Sequence, residues 1–361
     1  SGTITGGTTI LMNGGNLFNS TFSLTNTGGG IVAVSYLAPD IFQGDVTLSN
    51  TGTGSLGLAC GGGISTFNGN ISVSSSNTGG VGIGCPDMNG ATAPTAGTWT
   101  LASGKTITNG TFSNGTLSLW GLSQLGATAQ SLTLTGTAVF SPGFTTFNAA
   151  LTVSAPRFTL EACAFNGTTS LTKTATPNGT MQRCTLSTGG FFGNTFAGVT
   201  TITNATTCGS DSGAMYIGYD QPVVFNAAVT FNCTGKSYMY IAHSSAGNQF
   251  NSDVTFNANT TTSGFSGIHV CYAAGSTASF AGTTTFNALN GSSGILTNAF
   301  GICTFNGNIV VNSTTSLGKI YFGFPGATGT ATLAGGKTIT IGASGFATGG
   351  LWFTNFTQGV I

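Results

Sequence analysis

Seven carboxylates, two imidazoles and eight thiols carry most of the acid–base, metal-binding and nucleophilic chemistry open to this 361-residue chain. A glycan-cleaving enzyme needs two or three carboxylates, or a carboxylate-bound cation with Lys or Arg, gathered on one face. Asp40, Asp45, Asp87, Glu161, Asp211, Asp220 and Asp253 are instead spread along the sequence, and only the last three are loose neighbours. The one polar constellation is His243, His269 and Cys271. A metal or catalytic role there competes with paired structural or surface residues. Gly104-Lys105-Thr106 and Gly336-Lys337-Thr338 lack the spaced leading Gly of a phosphate loop, so nucleotide binding is set aside. No catalytic residue, cofactor or metal ligand is assigned.

The elements that position these residues are repeats. A nine-residue phrase, Phe-Asn-Gly-x-Val-Thr-Val-x-Asn, recurs from end to end, as FNGNISVSS from Phe67, FNAAVTFNC from Phe225, FNSDVTFNA from Phe250 and FNGNIVVNS from Phe305. Weaker copies begin at Phe18, Phe42 and Phe165, and two variants with Leu at the anchor begin at Leu101 and Leu333. Anchor spacings drift between 18 and 46 residues. Helical repeats must keep a 3.6-residue phase, whereas stacked strands let the turns between them grow or shrink. The longest gap is read as hiding degenerate coils around Ser131–Leu134 and Phe112–Leu119. The phrase also alternates as a strand requires, with anchor positions 0, 4 and 6 apolar and facing in. A small residue at position 2 leaves room beside a stacked Phe. The expected fold is therefore all-β: a single-stranded parallel β-helix (β-solenoid) of about 12–14 coils, each of roughly 25–30 residues. It is read as one continuous body over 1–361, and its ends as cuts in a longer chain.

A second, looser strand follows each anchor, as SLGLAC at 55, GVGIGC at 80, AMYIGY at 214, YMYIAH at 238, SGIHVCY at 266 and KIYFGF at 319. His243 and His269 lie 18 and 19 positions after Phe225 and Phe250, which brings them close in neighbouring coils. Cys60 and Cys85 each lie 18 positions after their anchors. Cys163 with Cys184, Cys208 with Cys233 and Cys271 with Cys303 are also about one coil apart. This spacing suggests disulfides between neighbouring turns in an oxidising compartment, and a buried free-thiol ladder is the competing reading.

Position 5 of the phrase is Thr or Ser in nearly every copy, and position 7 is often Thr or Asn. The two give an outward ladder of Thr106, Thr108, Thr152, Thr201, Thr203, Thr230, Asn232, Thr255, Asn257, Thr285, Asn287, Thr338 and Thr340. This resembles the Thr-x-Thr face of solenoidal ice-binding proteins, although Asn in the middle coils interrupts a regular methyl array. Thr and Asn ladders also simply stabilise parallel stacks.

Only 4% of residues are charged, and seven basic residues balance seven acidic ones, so nothing here draws nucleic acid or anionic lipid. No apolar run approaches 18 residues, so membrane insertion is not expected. The 40% hydrophobic content, with 27 Phe, argues against disorder.

Copies such as FNGNIVVNS, together with GTATLAGGKTITIGASGF at 329 to 346, resemble the repeats of large secreted surface adhesins of Bacteroidota, including gliding-motility and filament proteins. The likeness covers almost the whole chain. It implies a non-enzymatic fibre or adhesin at the cell surface whose partners are further copies of itself, glycans or another cell. Exposed Tyr216, Tyr219, Tyr238 and Tyr240 are expected to add weak glycan contacts. A glycan- or ice-binding solenoid is the alternative, and a polysaccharide lyase or hydrolase comes third.

Overall fold

The computed structural model describes residues 1–84, 98–174, 184–186, 193–206, 213–260, 266–290, 293–314, 318–324, 326–346 and 350–360. The chain divides into two compact units, Ser1–Thr168 and Thr169–Ile361. Each holds twenty-one short strands among its described residues, three to a turn of the chain, and so seven coils. All strand pairing within each unit is parallel, and each strand pairs with its counterpart one coil away. Both units are parallel β-helices with three faces.

The first face carries the Val-Thr-Val part of the phrase, as in Val46–Asn50 and Ile71–Ser75 of one unit and Val229–Cys233 and Val254–Ala258 of the other. The second face is the looser strand, as in Leu56–Leu58, Val81–Ile83, Met215–Ile217 and Met239–Ile241. The third face ends on the anchor, as in Ile64–Phe67 and Thr277–Phe280. The phrase is thus two strands bent around a corner, with the anchor closing one face and position 4 opening the next. The apolar alternation survives because both strands point their apolar residues at one interior.

In that interior the anchors stack. Phe18, Phe42 and Phe67 lie 4.9 and 4.7 Å apart between ring centres, and Phe147 stacks on Phe165 at 5.7 Å. In the second unit Phe196, Phe225, Phe250, Phe280 and Phe305 form an unbroken column with spacings of 4.7, 5.3, 4.6 and 4.9 Å. Position 6 adds a parallel column of Phe231, Phe256 and Phe286, which meets the first edge to face. Each fully buried Phe contributes about 1.5–3 kcal/mol of apolar burial and leaves no polar atom to satisfy.

Three sequence expectations are corrected here. The segment from Phe112 to Leu119 is not a coil of its own. It closes the first face and forms the second face of the Leu101 coil, as Ile107–Phe112 and Thr116–Trp120. The one hidden coil contains Gln130–Thr133, and buried Gln124 takes the anchor register after Leu101. Position 2 is small for a different reason from the one expected. A Cβ on Gly69 would lie 2.2 Å from the Gly44 carbonyl oxygen, and one on Gly307 would lie 2.0 Å from that of Gly282. Stacked corners touch backbone to backbone, so the constraint is the neighbouring chain rather than the ring.

The Thr row is also displaced in the Leu variants. Leu101 pairs with Phe67, but Ile107 pairs with Ile71, so the corner between them is two residues longer than in FNGN. The same holds for Leu333 and Ile339 against Phe305 and Ile309. Thr106 and Thr338 therefore fall in the corner, where their amides donate to Asn70 and Asn308 at 3.1 Å each. Thr108 and Thr340 take the ladder position opposite Ser72 and Val310.

Candidate functional site

Of the described aspartates, Asp40, Asp45 and Asp253 hold coils together, and Asp220 is exposed. Buried Asp40 accepts from the Asn16 amide at 2.7 Å and from the Ser35 hydroxyl at 2.7 Å. Asp45 and Asp253 sit at position 3 of their phrases and accept the amides of Asn70 and Thr283 in the next coil, both at 2.8 Å. Desolvation holds the Glu161 carboxyl above the usual carboxylate range, and its backbone forms an isolated bridge with Gly143. Asp87 and Asp211 lie outside the described residues. Among the described residues no group of three or more His, Cys, Asp or Glu could hold a metal.

Cys60, Cys163, Cys233, Cys271 and Cys303 are buried thiols. Burial pushes the Cys163 and Cys233 thiols up to about 12. Cys271 and Cys303 touch through their side chains, which raises Cys271 further beyond the effect of burial. They do not share a register. Cys271 is in the corner after the second face, with φ +51°, while Cys303 lies on a third-face strand opposite Ala278. The Cys271 thiol donates to the Ile302 carbonyl at 3.3 Å. For the other pairs, Cys85, Cys208 and the Cys184 side chain lie outside the described residues.

On the first face the ladder is present, with Thr152 exposed and Thr201, Thr203, Thr230, Thr255 and Thr285 half-buried. Thr201, Thr230, Thr255 and Thr285 stack in register, beside a column of Thr203, Asn232, Asn257 and Asn287. The Asn column bonds to itself. Asn257 donates to Asn232, Asn287 to Asn257 and Asn312 to Asn287, each at 2.8 Å, and Asn232 reaches the Thr203 hydroxyl at 3.4 Å. Each amide is spent along the stack. The Gly342 backbone meets Asn312 at the end of the column, where the register shifts between Val311 and Ser313.

The structure sets a row of outward aromatic residues on the second face of the 169–361 unit. There the outward position reads Tyr216, Tyr240, His269, Leu296, Tyr321 and Trp352 in successive coils, each paired with the next. Their neighbours Ile217, Ile241, Val270 and Ile320 point inward and are buried. Three residues beyond Tyr216, Tyr240, His269 and Tyr321, the corner supplies Tyr219, His243, Tyr272 and Phe324, and Phe300 continues the column four residues beyond Leu296. Tyr216 stacks on Tyr240 at 4.9 Å and Tyr321 on Trp352 at 4.6 Å, while His243 stacks between Tyr219 at 5.2 Å and Tyr272 at 5.8 Å. The two columns lean on one another, with Tyr240 5.1 Å from Tyr272 and Tyr321 6.1 Å from Phe324.

This packing corrects the expected exposure of the tyrosines. Tyr216 and Tyr240 are only 7% and 6% exposed because the second column and Tyr238 cover them. The open rings are farther along the row, with Phe300 46%, Phe324 45% and Trp352 39% exposed. Between the covered and open parts is a hollow of about 300 Å³ lined by His269, Tyr272, Leu296, Ala299, Phe300 and Phe324.

His243 and His269 are neighbours, as their spacing implies, but in different columns. Both pack on Tyr240 and Tyr272. Desolvation first, and the charge of His243 second, lower the His269 imidazole to about 3. Its ring is neutral at ordinary pH and serves the strip as a flat aromatic.

The chain is a repetitive parallel β-solenoid in which Asp40, Asp45, Asp253 and the first-face Asn amides bond between coils and a row of outward aromatic residues runs along one face. No protein-family model, curated protein or solved structure matches it. Among the described residues no helix is long and apolar enough to cross a membrane.

Proposed function

We propose that the chain is a non-enzymatic, load-bearing segment of an extracellular fibre or adhesin at the cell surface, acting through its outer faces on another surface and on further copies of itself. The observation that carries this reading is the continuity of the internal ladders. In each unit the strands pair in parallel one coil at a time, and the Asn column ties successive coils by side-chain bonds of 2.8 Å. Pulling along such a stack loads backbone bonds at every coil and, where the Asn column of the 169–361 unit runs, side-chain bonds with them. Carboxylates committed to amides of the next coil fit a structural role, and the resemblance to Bacteroidota surface adhesins points the same way. Ice binding is the weaker reading. An ice-binding face would present free, regularly spaced methyl and hydroxyl groups, and here Asn amides saturate one column while Val310 interrupts the other.

Deleting the parent gene is expected to abolish a surface filament or cell attachment and to leave polysaccharide breakdown unchanged. A mutant that attaches normally, or a purified chain that cleaves a glycan, would overturn the reading.

A further inference from the structure

We propose that the aromatic strip on the second face of the 169–361 unit binds neutral polysaccharide, with the hollow formed by His269, Tyr272, Leu296, Ala299, Phe300 and Phe324 seating a sugar ring. The adhesive reading supplies the biological setting on which this rests, while the binding itself is argued from the geometry.

Size selects the occupant first. At about 300 Å³ and six lining residues, the hollow is at the lower end of small-molecule sites. A stable protein interface engages roughly 20–30 residues on each side. The open part of the strip suits one rigid ring and its neighbours along a chain better than a second copy of this protein.

Chemistry narrows it further. Four of the six lining residues are aromatic, and two of these rings, Phe300 and Phe324, leave nearly half their surface to solvent. A π face is electronegative, so it attracts the weakly positive C–H face of a pyranose, and tyrosine adds a polar tip for hydroxyl edges. Stacking strips that bind nucleic acid pair their aromatics with a basic groove to hold phosphates. Among the described residues no such groove accompanies this row. Its two columns hold two titratable bases, His243 stacked between Tyr219 and Tyr272 and His269, whose ring is held neutral first by burial and second by the charge of His243. Lys319 lies at one end, 6.0 Å from the Trp352 ring centre. A stacking surface whose hollow is lined by no charged residue calls for an uncharged ligand with flat apolar faces.

Repetition supplies the rest. Tyr321, in the coil that supplies Phe324, and Trp352, one coil further, carry the ring row past the hollow, so a polymer can touch several rings at once and gain by avidity.

The test is calorimetric titration of the full chain with cellohexaose, laminarihexaose, mannohexaose and chitohexaose, with an alginate hexamer and single-stranded oligothymidylate as charged controls. At least one neutral hexasaccharide is expected to bind, with neither control binding. Phe300→Ala/Phe324→Ala is expected to weaken that binding by about tenfold or more while circular dichroism and melting stay unchanged. Should the double variant unfold, Phe300→Gln alone, at a position already half in solvent, is expected to give a smaller loss in the same direction. Absence of binding to all four neutral sugars at millimolar concentration would sink the proposal. So would binding that the variants leave intact, or wild-type self-association that the double variant abolishes without any sugar binding. A chain that still mediates attachment but binds none of the sugars overturns this inference and leaves the adhesive reading standing.

Discussion

The second face of the 1–168 unit and the second face of the 169–361 unit are built on the same inward residues and opposite outward ones. Inside, Leu56, Leu58, Val81, Ile83, Leu117 and Leu119 in the first match Met215, Ile217, Met239, Ile241, Ile268 and Val270 in the second, all buried. On the opposite side of the strand the first unit has Ala33, Gly57 and Gly82, all buried, and half-buried Ser118 and Ser141 in register, and the second has Tyr216, Tyr240, His269, Leu296, Tyr321 and Trp352. The coil therefore fixes only the inward half of each strand. The outward half is free to carry another function, because a parallel stack repeats any outward choice as a row. One unit leaves that row small and flat, with Tyr36 packed against Ala33 and Cys60. The other turns it into two leaning aromatic columns.

If the interiors are equivalent, equal cuts should cost the same in both. Phe42 and Phe250 are each fully buried and stacked on both sides, at 4.9 and 4.7 Å and at 5.3 and 4.6 Å. Phe42→Ala and Phe250→Ala are each expected to destabilise their unit by about 3–5 kcal/mol in denaturant titrations. A gap of more than about 2 kcal/mol between them would break the equivalence, since values at one chemistry vary mainly with how far a cavity collapses.

The exteriors should differ most clearly in acid. His269 has no counterpart in the first unit's row, and its imidazole titrates near 3 when folded against about 6.5 when unfolded. The unfolded chain therefore takes up a proton at a pH where the folded one does not. The stability this group contributes is complete above about pH 6.5 and is lost as pH falls toward 3, on the order of 1 kcal/mol per pH unit. Melting between pH 7 and 4 is expected to weaken the 169–361 unit. His269→Leu, which repeats the residue already at Leu296, should flatten that dependence. A wild-type curve no steeper than that of the variant would show that the ring takes its proton while folded.

The first faces differ on a smaller scale. Asn257 donates to Asn232 and accepts from Asn287, whereas the corresponding column of the other unit has Ser49 and Ser74 in register. Asn257→Ala is expected to cost about 1–2 kcal/mol, the worth of two partly sheltered hydrogen bonds, and Ser74→Ala close to nothing. Equal losses at the two sites would mean that the Asn column is ornament rather than reinforcement.

Much of this was legible in the sequence. Alternation exposes the inward positions, and the apolar strands AMYIGY and YMYIAH are recognisable as stacked elements without any alignment. What was hidden depends on counting through corners. The extra Gly-Lys residues of LASGKTITN and LAGGKTITI move Thr106 and Thr338 out of the ladder by two positions, and position 2 of the phrase answers to a backbone one coil away. The aromatic strip was half visible. Tyr216 and Tyr240 could be placed outward, but their cover by Tyr219, His243 and Tyr272 comes from corner residues two positions past the ends of their strands. Of the residues that shape the hollow, Leu296 lies on Ser293–Thr297, a strand not picked out among the apolar phrases, and Phe300 and Phe324 lie in corners, where strand alternation gives no direction.

The smallest expected effect is also the most direct test of whether the outward row is free. Ser118 and Ser141 are half-buried, paired and on the second face of the 1–168 unit, with Leu117, Leu119 and Phe140 holding the strand from inside. A Tyr at each would stack on the other at the spacing of one coil, as Tyr216 does on Tyr240. Ser118→Tyr/Ser141→Tyr is expected to change stability by no more than about 0.5 kcal/mol, because the substituted side chains point away from the core and gain a stacking partner. Trp120, which lies against Phe144 at 5.1 Å and over Gly143, sits two residues along the same strand and would extend the new pair. A loss of several kcal/mol would mean that the small row of the first unit is required by its fold, and the outward half of the coil would then be less free than the contrast between the two faces implies.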